Sequence, residues 1–207
     1  MTLTLAHSEF FEIMTPTGTA IGGSQDWYPE ERPRRAGCGP VAASNIMWYM
    51  SRLRPEWRRL CDVSSRDKPS FIRLMQEMYN YVTPGQRGVN TSAIFTDGAV
   101  RFGAAHGVTL TPRVLEIPEL LRRRPSWDAV CDFISAALSE NRPVAFLNLS
   151  NGALQNLENW HWVTIFALDA GAKTVSVSDQ EKVLSIDLAK WLETTLLGGA
   201  LVYLEAN

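Results

Sequence analysis

The spacing of apolar residues changes along the chain, from a helical period before residue 142 to shorter, strand-like runs after it. In the first part, Phe71, Leu74, Met75 and Met78 recur at positions that form one face of a helix. The pattern predicts helices over 39–53, 69–82, 91–106, 126–140 and 187–197, and strands over 144–149, 161–168, 174–178 and 200–204. Helices followed by an antiparallel sheet predict an α+β fold.

The helix predicted over 39–53 is apolar nearly all round, since the run from Val41 to Met50 has few polar residues. A helix of this kind is normally buried in the core. Pro40 suits its first turn, where the N–H that proline lacks would have no partner. We therefore expect a single domain over 1–207, with a helical lobe over roughly 20–140 that contains this central helix and a sheet lobe over roughly 141–207.

The composition of the chain limits which class of protein it can be and in which compartment it is expected. The chain has 207 residues, of which 45% are hydrophobic and 20% charged, as in an ordinary globular domain that can bury a core of its own. No apolar run approaches the length of a membrane span, so no membrane association is expected. The N-terminus carries Glu9 and Glu12 but no basic segment, which speaks against a signal peptide. A cytoplasmic protein is expected, and export by a machine that needs no cleavable signal stays open.

The net charge of −2 conceals an uneven distribution. Residues 31–73 carry ten Lys or Arg against four Asp or Glu, whereas residues 125–207 carry four against ten. The arginines of the basic stretch lie within an apolar segment and lack the interleaved aromatic residues of a nucleic-acid site. They are interpreted as exposed helix faces, and no nucleic-acid partner is expected. A basic patch that meets an acidic partner remains the alternative.

The three cysteines are too few, and odd in number, for a disulfide framework. Their spacing matches no zinc motif, and neither a metal nor another cofactor is expected. Cys61 follows Trp57 and Leu60 at helical spacing, and Cys131 lies on the apolar stripe of the helix over 126–140. Both are interpreted as small core residues.

Cys38 differs because it lies between Gly37 and Gly39, immediately before the buried helix. The partial positive charge and the unpaired N–H groups of a helix N-terminus favour an anion, and hence the nucleophilic thiolate. The backbone N–H of Cys38 would be available to an oxyanion. The flanking glycines would let a substrate backbone approach the thiol closely.

His161 and Asp179 are candidate partners of this thiol. If the loop Asp169-Ala170-Gly171 joins two strands as a three-residue turn, His161 and Asp179 lie directly opposite each other. The carboxylate would then hold one ring nitrogen and leave the other for a thiol. A two- or four-residue loop would instead turn Asp179 to the other face of the sheet.

A thiol, an imidazole and a carboxylate in this order can form a catalytic triad that works through an acyl-enzyme. The set resembles the papain-like cysteine peptidases, and is most similar to the bacterial branch related to peptidases that cleave leader peptides after double glycines. The resemblance rests on Gly37-Cys38-Gly39-Pro40, on His161-Trp162-Val163 and on the strand that ends at Asp179. It implies a papain-like fold with Cys38 as nucleophile, His161 as general base and acid, and Asp179 as the orienting residue. It also implies a peptide, protein or other amide as substrate.

The same resemblance implies a glutamine in the oxyanion hole about six residues before the cysteine, where this chain has Arg32. Gln25 is the nearest upstream glutamine and would serve if residues 28–36 form an insertion. The alternative is that Gln25 lies in a glycine-rich surface turn. The cleft beside Cys38 would be lined by residues 22–37, 85–97 and 150–160, with Trp160 either lining it or packing at its rim.

Three functions are open at this stage. The first is a hydrolase of peptide or amide bonds, and the second is an acyl or γ-glutamyl transferase that passes the same acyl group to an amine. The third is a binding module that keeps the fold without catalysis, because a fold alone does not determine an activity.

Overall fold

The computed structural model describes residues 2–61 and 64–206. Its helices are α1 (Glu31–Ala36), α2 (Cys38–Leu53), α3 (Lys68–Tyr79), α4 (Ser92–Ala105), α5 (Trp127–Ser139) and α6 (Leu188–Thr194). Its strands are β1 (Thr2–Thr4), β2 (Glu12–Thr15), β3 (Gly18–Ile21), β4 (Leu110–Ile117), β5 (Val144–Asn148), β6 (His161–Asp169), β7 (Thr174–Asp179), β8 (Lys182–Asp187) and β9 (Gly199–Ala206). Short 3₁₀ helices occur at Ser8–Phe11, Gln25–Trp27, Pro55–Leu60 and Leu121–Arg123.

Seven of these strands form one antiparallel sheet. Six lie in the order β4-β9-β5-β6-β7-β8, and β1 pairs with the end of β6. Strands β2 and β3 form a separate hairpin. The α+β class predicted from the sequence is confirmed.

Apolar side chains cover both faces of the large sheet. Trp162 of β6 packs in a cluster with the apolar residues of α2, α3 and α4, whereas Val163, the next residue, packs in a cluster with those of α5 and α6. Every residue of α2 from Cys38 to Ser51 is buried, as its all-round apolar sequence predicts. Helix α2 therefore forms the centre of the core, and its N-terminus has a fixed position relative to β6. No helix in the described part of the chain combines the length and apolarity needed to cross a membrane.

The expectation that strands begin only after residue 142 is wrong for β1 to β4. Strand β4 carries Pro112, Arg113 and Glu116 and therefore lacks a clear apolar alternation. It forms an edge of the sheet, where a proline is tolerated because its missing N–H would face away from the neighbouring strand. Its pairing with β9 depends on a distant segment, which a local pattern cannot report.

Arg124 fixes the segment that follows β4 against the end of α6. Its guanidinium donates to the carbonyl oxygens of Pro118 at 3.0 Å, Glu119 at 2.7 Å, Leu192 at 2.6 Å and Thr195 at 2.5 Å. Carbonyl oxygens at the end of a helix have no partner within the helix. One side chain thus satisfies acceptors on two segments that lie far apart in the sequence.

Replacement of Arg124 by Ala is expected to lower the free energy of unfolding by about 1–3 kcal/mol, because hydrogen bonds to a charged donor are lost and their acceptors are left unpaired. Thermal and urea denaturation measure the change. The neighbouring Arg123 is exposed, and Arg123→Ala is the matched control that should change stability by no more than about 0.5 kcal/mol. Equal stability of the two variants would show that the Arg124 contacts contribute nothing.

Candidate active site

Cys38 is the first residue of α2, and only 9% of its surface is exposed. Because the two flanking glycines have no side chain, other segments of the chain pack directly against their backbone. A Cβ on Gly37 would lie 2.4 Å from the Pro33 carbonyl oxygen, and one on Gly39 would lie 2.7 Å from the Val89 Cβ. These contacts give both glycines a packing role, and the expectation that they also let a substrate approach stays a prediction. They allow the segments around the thiol to close tightly on it.

His161, the first residue of β6, is buried next to Asp179, the last residue of β7. Its Nε2 lies 2.7 Å from the Asp179 Oδ1. Because a carboxylate accepts hydrogen bonds, the Nε2 carries the proton and donates it. The other ring nitrogen, Nδ1, is not used by the carboxylate, and Cys38 lines the same cavity as His161.

Two opposing effects act on the pKa of His161. Burial lowers it, while the hydrogen bond to Asp179, a hydrogen bond with Cys38 and the negative charges of both groups raise it. The effects of Asp179 and Cys38 together outweigh that of burial and raise the pKa of His161 to about 10. The imidazolium form is therefore favoured at neutral pH, between two groups that can each carry a negative charge.

The register that brings His161 and Asp179 together differs from the predicted one. The loop between β6 and β7 spans residues 170–173, so it is a four-residue turn rather than the predicted three-residue one. Such a turn alone would place Asp179 on the wrong face. Strand β6 corrects this with a bulge at Phe166, since Ala167 pairs with Ser176 but Ile165 pairs with Val177.

Beyond the bulge, the pairing continues to Thr164 and Ser178. Extending that register by one residue puts Asp179 opposite Val163, on the face that His161 shares. The prediction that His161 and Asp179 lie directly opposite each other is therefore wrong, and the contact is diagonal. Diagonal neighbours are within reach of long side chains such as histidine.

Gln25 begins a short 3₁₀ helix and lines the same cavity as Cys38, His161 and Asp179. Its side-chain Oε1 is buried and has no hydrogen-bond partner among the described residues. The segment 28–36 contains α1, none of whose residues is buried. Tyr28 stays in the core, so the exposed insertion between Gln25 and Cys38 consists of residues 29–36. This arrangement would allow Gln25 to reach the thiol.

The loop that carries Gln25 is fastened to the turn that follows Asp179. The Ser24 hydroxyl and the Gln25 backbone N–H both donate to the Gln180 Oε1, at 2.6 Å and 3.2 Å. Gln180 and Glu181 both have positive φ, 45° and 64°, which is the backbone conformation of a tight hairpin turn.

Backbone hydrogen bonds complete this attachment. The Glu181 N–H donates to the Gly23 carbonyl at 3.2 Å, and the Ile21 N–H donates to the Glu181 carbonyl at 3.0 Å. Neither Gln180 nor Glu181 is a glycine, so their left-handed conformation costs energy that these contacts offset. The positions of Gln25 and Asp179 are thereby coupled through one set of hydrogen bonds.

Asn45 is a buried polar residue that the sequence analysis did not single out. Its Oδ1 accepts from the Gly23 N–H at 2.9 Å, and its Nδ2 donates to the hydroxyls of Thr164 at 3.2 Å and Ser178 at 3.5 Å. It lies two turns after Cys38 and connects α2 to β6, β7 and the Gln25 loop. The sequence does carry a signal for this role, since an asparagine lies within a helix that is predicted to be wholly buried. A buried amide needs hydrogen-bond partners on neighbouring elements.

Trp160 precedes His161 in a left-handed conformation, with φ of 55°, and 45% of its surface is exposed. Its carbonyl oxygen accepts a long hydrogen bond of 3.9 Å from the Cys38 thiol. Its side chain lines an open groove next to Cys38, together with Arg35 and Arg87. Trp160 therefore lines the cleft, and each of the three segments expected there contributes a residue.

The other two cysteines lie outside this cavity. Both are partly buried against apolar clusters, and the Cys61 thiol donates to the Ser51 hydroxyl at 3.0 Å. Burial raises the pKa of the Cys131 thiol. In residues 2–61 and 64–206, no group of three or more His, Cys, Asp or Glu side chains is arranged to hold a metal ion.

Comparison with known proteins finds solved structures of similar shape but no related sequence. No protein-family model and no curated protein matches the chain. A double glycine motif protease from an AMS/PCAT transporter, solved in complex with the leader peptide, is similar over 82% of this chain and 84% of its own, with a TM-score of 0.41 and 10% identity. The Pseudomonas avirulence protein AvrPphB is similar over 85% of this chain and 95% of its own, with a TM-score of 0.39 and 9% identity. At these values, neither similarity assigns a role to any residue of this chain.

Replacement of Asp179 by Asn is expected to lower the pKa of His161 below about 10, because the carboxylate no longer offsets the effect of burial. NMR titration of the imidazole through the neutral and alkaline range measures this pKa. The chain has three histidines, and a His161→Gln variant identifies the signal.

Asp179→Asn is also expected to change how the stability of the protein depends on pH. A pKa raised by folding stabilises the protein fully below the unfolded value of about 6.5. This stabilisation is lost as the pH rises through about 10. The stability advantage of the wild type over Asp179→Asn should therefore be larger near pH 6 than above pH 10. An advantage that does not change with pH would contradict the ion pair.

Proposed function

We propose that this chain is a papain-like thiol hydrolase of peptide or amide bonds, with Cys38, His161 and Asp179 as its catalytic triad. The observation that supports this most directly is the position of His161. It is buried, its Nε2 is held by the Asp179 carboxylate, and it interacts with a thiol at the start of a buried helix. A base that shares a cavity with a thiol and is oriented by a third group is the arrangement used in nucleophilic catalysis.

In this proposal, Asp179 fixes the tautomer and orientation of the imidazole, so that Nδ1 faces the sulfur. The raised pKa of His161 favours imidazolium beside Cys38, and its positive charge stabilises the thiolate together with the helix N-terminus. Burial of the pair excludes water, which strengthens both electrostatic interactions.

The reaction proceeds in two halves. The Cys38 sulfur attacks the carbonyl carbon, and the carbonyl electron pair moves onto oxygen. As the C–N bond breaks, the His161 Nδ1 gives its proton to the leaving nitrogen, and a thioester remains. Water then loses a proton to Nδ1 and attacks the thioester carbon. The C–S bond breaks, the acid is released, and thiolate and imidazolium are restored.

The oxyanion formed in each half needs hydrogen-bond donors. As the first residue of α2, Cys38 has a backbone N–H without a partner inside the helix. We assign the second donor to the Nε2 of the Gln25 side-chain amide, since Gln25 lines the cavity of the thiol. The Gln25 Oε1 is buried without a partner among the described residues, and as an acceptor it would be completed by an N–H of the ligand.

Iodoacetamide is expected to alkylate Cys38 faster than Cys61 or Cys131, which act as internal controls within the same molecule. Mass spectrometry of the peptides gives the three rates separately. Cys38→Ala should lower turnover of p-nitrophenyl acetate, a small activated ester, by about 10⁴-fold or more, as removal of a nucleophile does in other triads. Turnover that survives in Cys38→Ala, or equal alkylation of all three thiols, would refute the proposal.

Gln25→Ala is expected to lower turnover of the ester by about 10²–10³-fold, because an oxyanion donor is lost. Alkylation by iodoacetamide passes through no oxyanion, so its rate at Cys38 should change little. Gln155 is exposed, and Gln155→Ala is the matched control for removal of a glutamine. If Gln25→Ala lowered both rates equally, its role would be to hold the loop rather than to bind the oxyanion.

A further inference from the structure

The groove beside Cys38 has a positive lining. It is lined by Arg35 from the end of α1, Gln86 and Arg87 from the loop before α4, and Trp160, among other residues. Cys38 forms part of its wall, so the groove adjoins the proposed nucleophile. No carboxylate lines it within the described residues 2–61 and 64–206.

The two arginines differ in how far their charge is compensated. Arg35 pairs with Glu31 one turn earlier at 2.6 Å, on an exposed face where solvent weakens the pair. Arg87 makes no ion pair with any residue in the described ranges. Its guanidinium is therefore available to a ligand, and a guanidinium binds a carboxylate through two parallel hydrogen bonds.

The loop that carries Arg87 is held in place before any ligand binds. Gly85 and Gly88 exchange backbone hydrogen bonds of 3.1 Å and 3.3 Å, so Gln86 and Arg87 form the tip of a closed turn. The carbonyl oxygen of the next residue, Val89, accepts from the Trp162 indole at 2.6 Å. Since Trp162 directly follows His161, the position of the turn is fixed relative to the proposed triad, and little ordering cost is left for binding.

Trp160 supplies a different kind of surface in the same groove. Its indole is 45% exposed, although tryptophan is usually well buried, and its carbonyl contacts the thiol. A flat aromatic ring offers contact area to a peptide backbone or an apolar side chain. The groove thus combines an apolar surface with two cations within a short distance of the thiol.

We propose that this groove binds an acidic segment of the substrate, namely a peptide with an Asp or Glu side chain close to the cleaved bond. The inference rests on the proposed function and specifies its substrate class. Arg87 supplies the main contact to the carboxylate, Arg35 adds positive potential, and Trp160 supports the adjoining peptide. Positive charge on the wall of a cleft also raises the local concentration of anions.

The relative rates at which iodoacetate and iodoacetamide alkylate Cys38 test this charge without a known substrate. The two reagents share their chemistry, but only iodoacetate is an anion. Arg87→Gln is expected to lower the ratio of the iodoacetate rate to the iodoacetamide rate at least about twofold, and Arg35→Gln/Arg87→Gln by more. Raising the salt concentration should lower the ratio in the wild type.

Matched variants separate the groove from general surface charge. Arg34 lies on the same helix as Arg35 and is exposed, but does not line the groove, so Arg34→Gln should leave the ratio unchanged. Arg87→Lys keeps the charge and should retain most of the ratio. Glu31→Gln removes the partner of Arg35 and should raise it. Thermal denaturation of each variant checks that the fold is retained.

Peptides that differ only in Asp against Asn next to a common cleavage position extend the test to turnover. A lower kcat/KM for the Asn peptide, with a difference that Arg87→Gln abolishes, supports the inference. If Cys38 is selectively alkylated but the reagent ratio is the same in Arg87→Gln and Arg34→Gln, the acidic-substrate inference is overturned and the proposed function stands. If Cys38 is not selectively alkylated at all, the proposed function itself fails.

Discussion

The hydrogen bond between His161 and Asp179 requires both residues to lie on one face of the sheet, and two irregularities of the backbone meet this requirement together. The four-residue turn between β6 and β7 displaces the register by one residue, and the bulge at Phe166 displaces it back. Because side chains alternate between faces, either irregularity alone would separate imidazole from carboxylate. The proposed chemistry therefore depends on a correction made five residues away from the histidine.

The remaining parts of the site are attached to the same strand ends. Gln180 receives hydrogen bonds from Ser24 and Gln25, so the turn after Asp179 also positions the proposed oxyanion donor. Asn45 connects that loop to the helix that begins with Cys38. A displacement of any one of these segments would move the others, which explains why polar groups are kept in a core that otherwise excludes them.

The spacing of apolar residues and the helix-boundary residues predicted the helices, because a helix forms between residues that are close in the sequence. The five predicted helices correspond to α2 to α6, and glycine and proline around Cys38 predict its place at a helix start. Strand β4 escaped prediction because its pairing with β9 is non-local, and Pro112 makes it resemble a loop. The β6–β7 register was wrong for a related reason, since turn length and bulge compensate each other and neither has a strong signal in the sequence.

Gln25 illustrates how burial can point to a ligand. Three buried side-chain polar atoms in the described part of the chain have no hydrogen-bond partner: the Gln25 Oε1, the Trp48 Nε1 and the Tyr49 hydroxyl. The Trp48 ring lies under the Arg52 guanidinium at 3.7 Å, and Tyr49 stacks on Phe11, so both aromatic residues are held by their rings. Gln25 has no such packing role and lines the cavity of Cys38. Folding leaves this oxygen to be completed by a donor that enters the cavity, such as a peptide N–H of a substrate. The Nε2 of the same amide is the donor that a substrate carbonyl gaining negative charge would need.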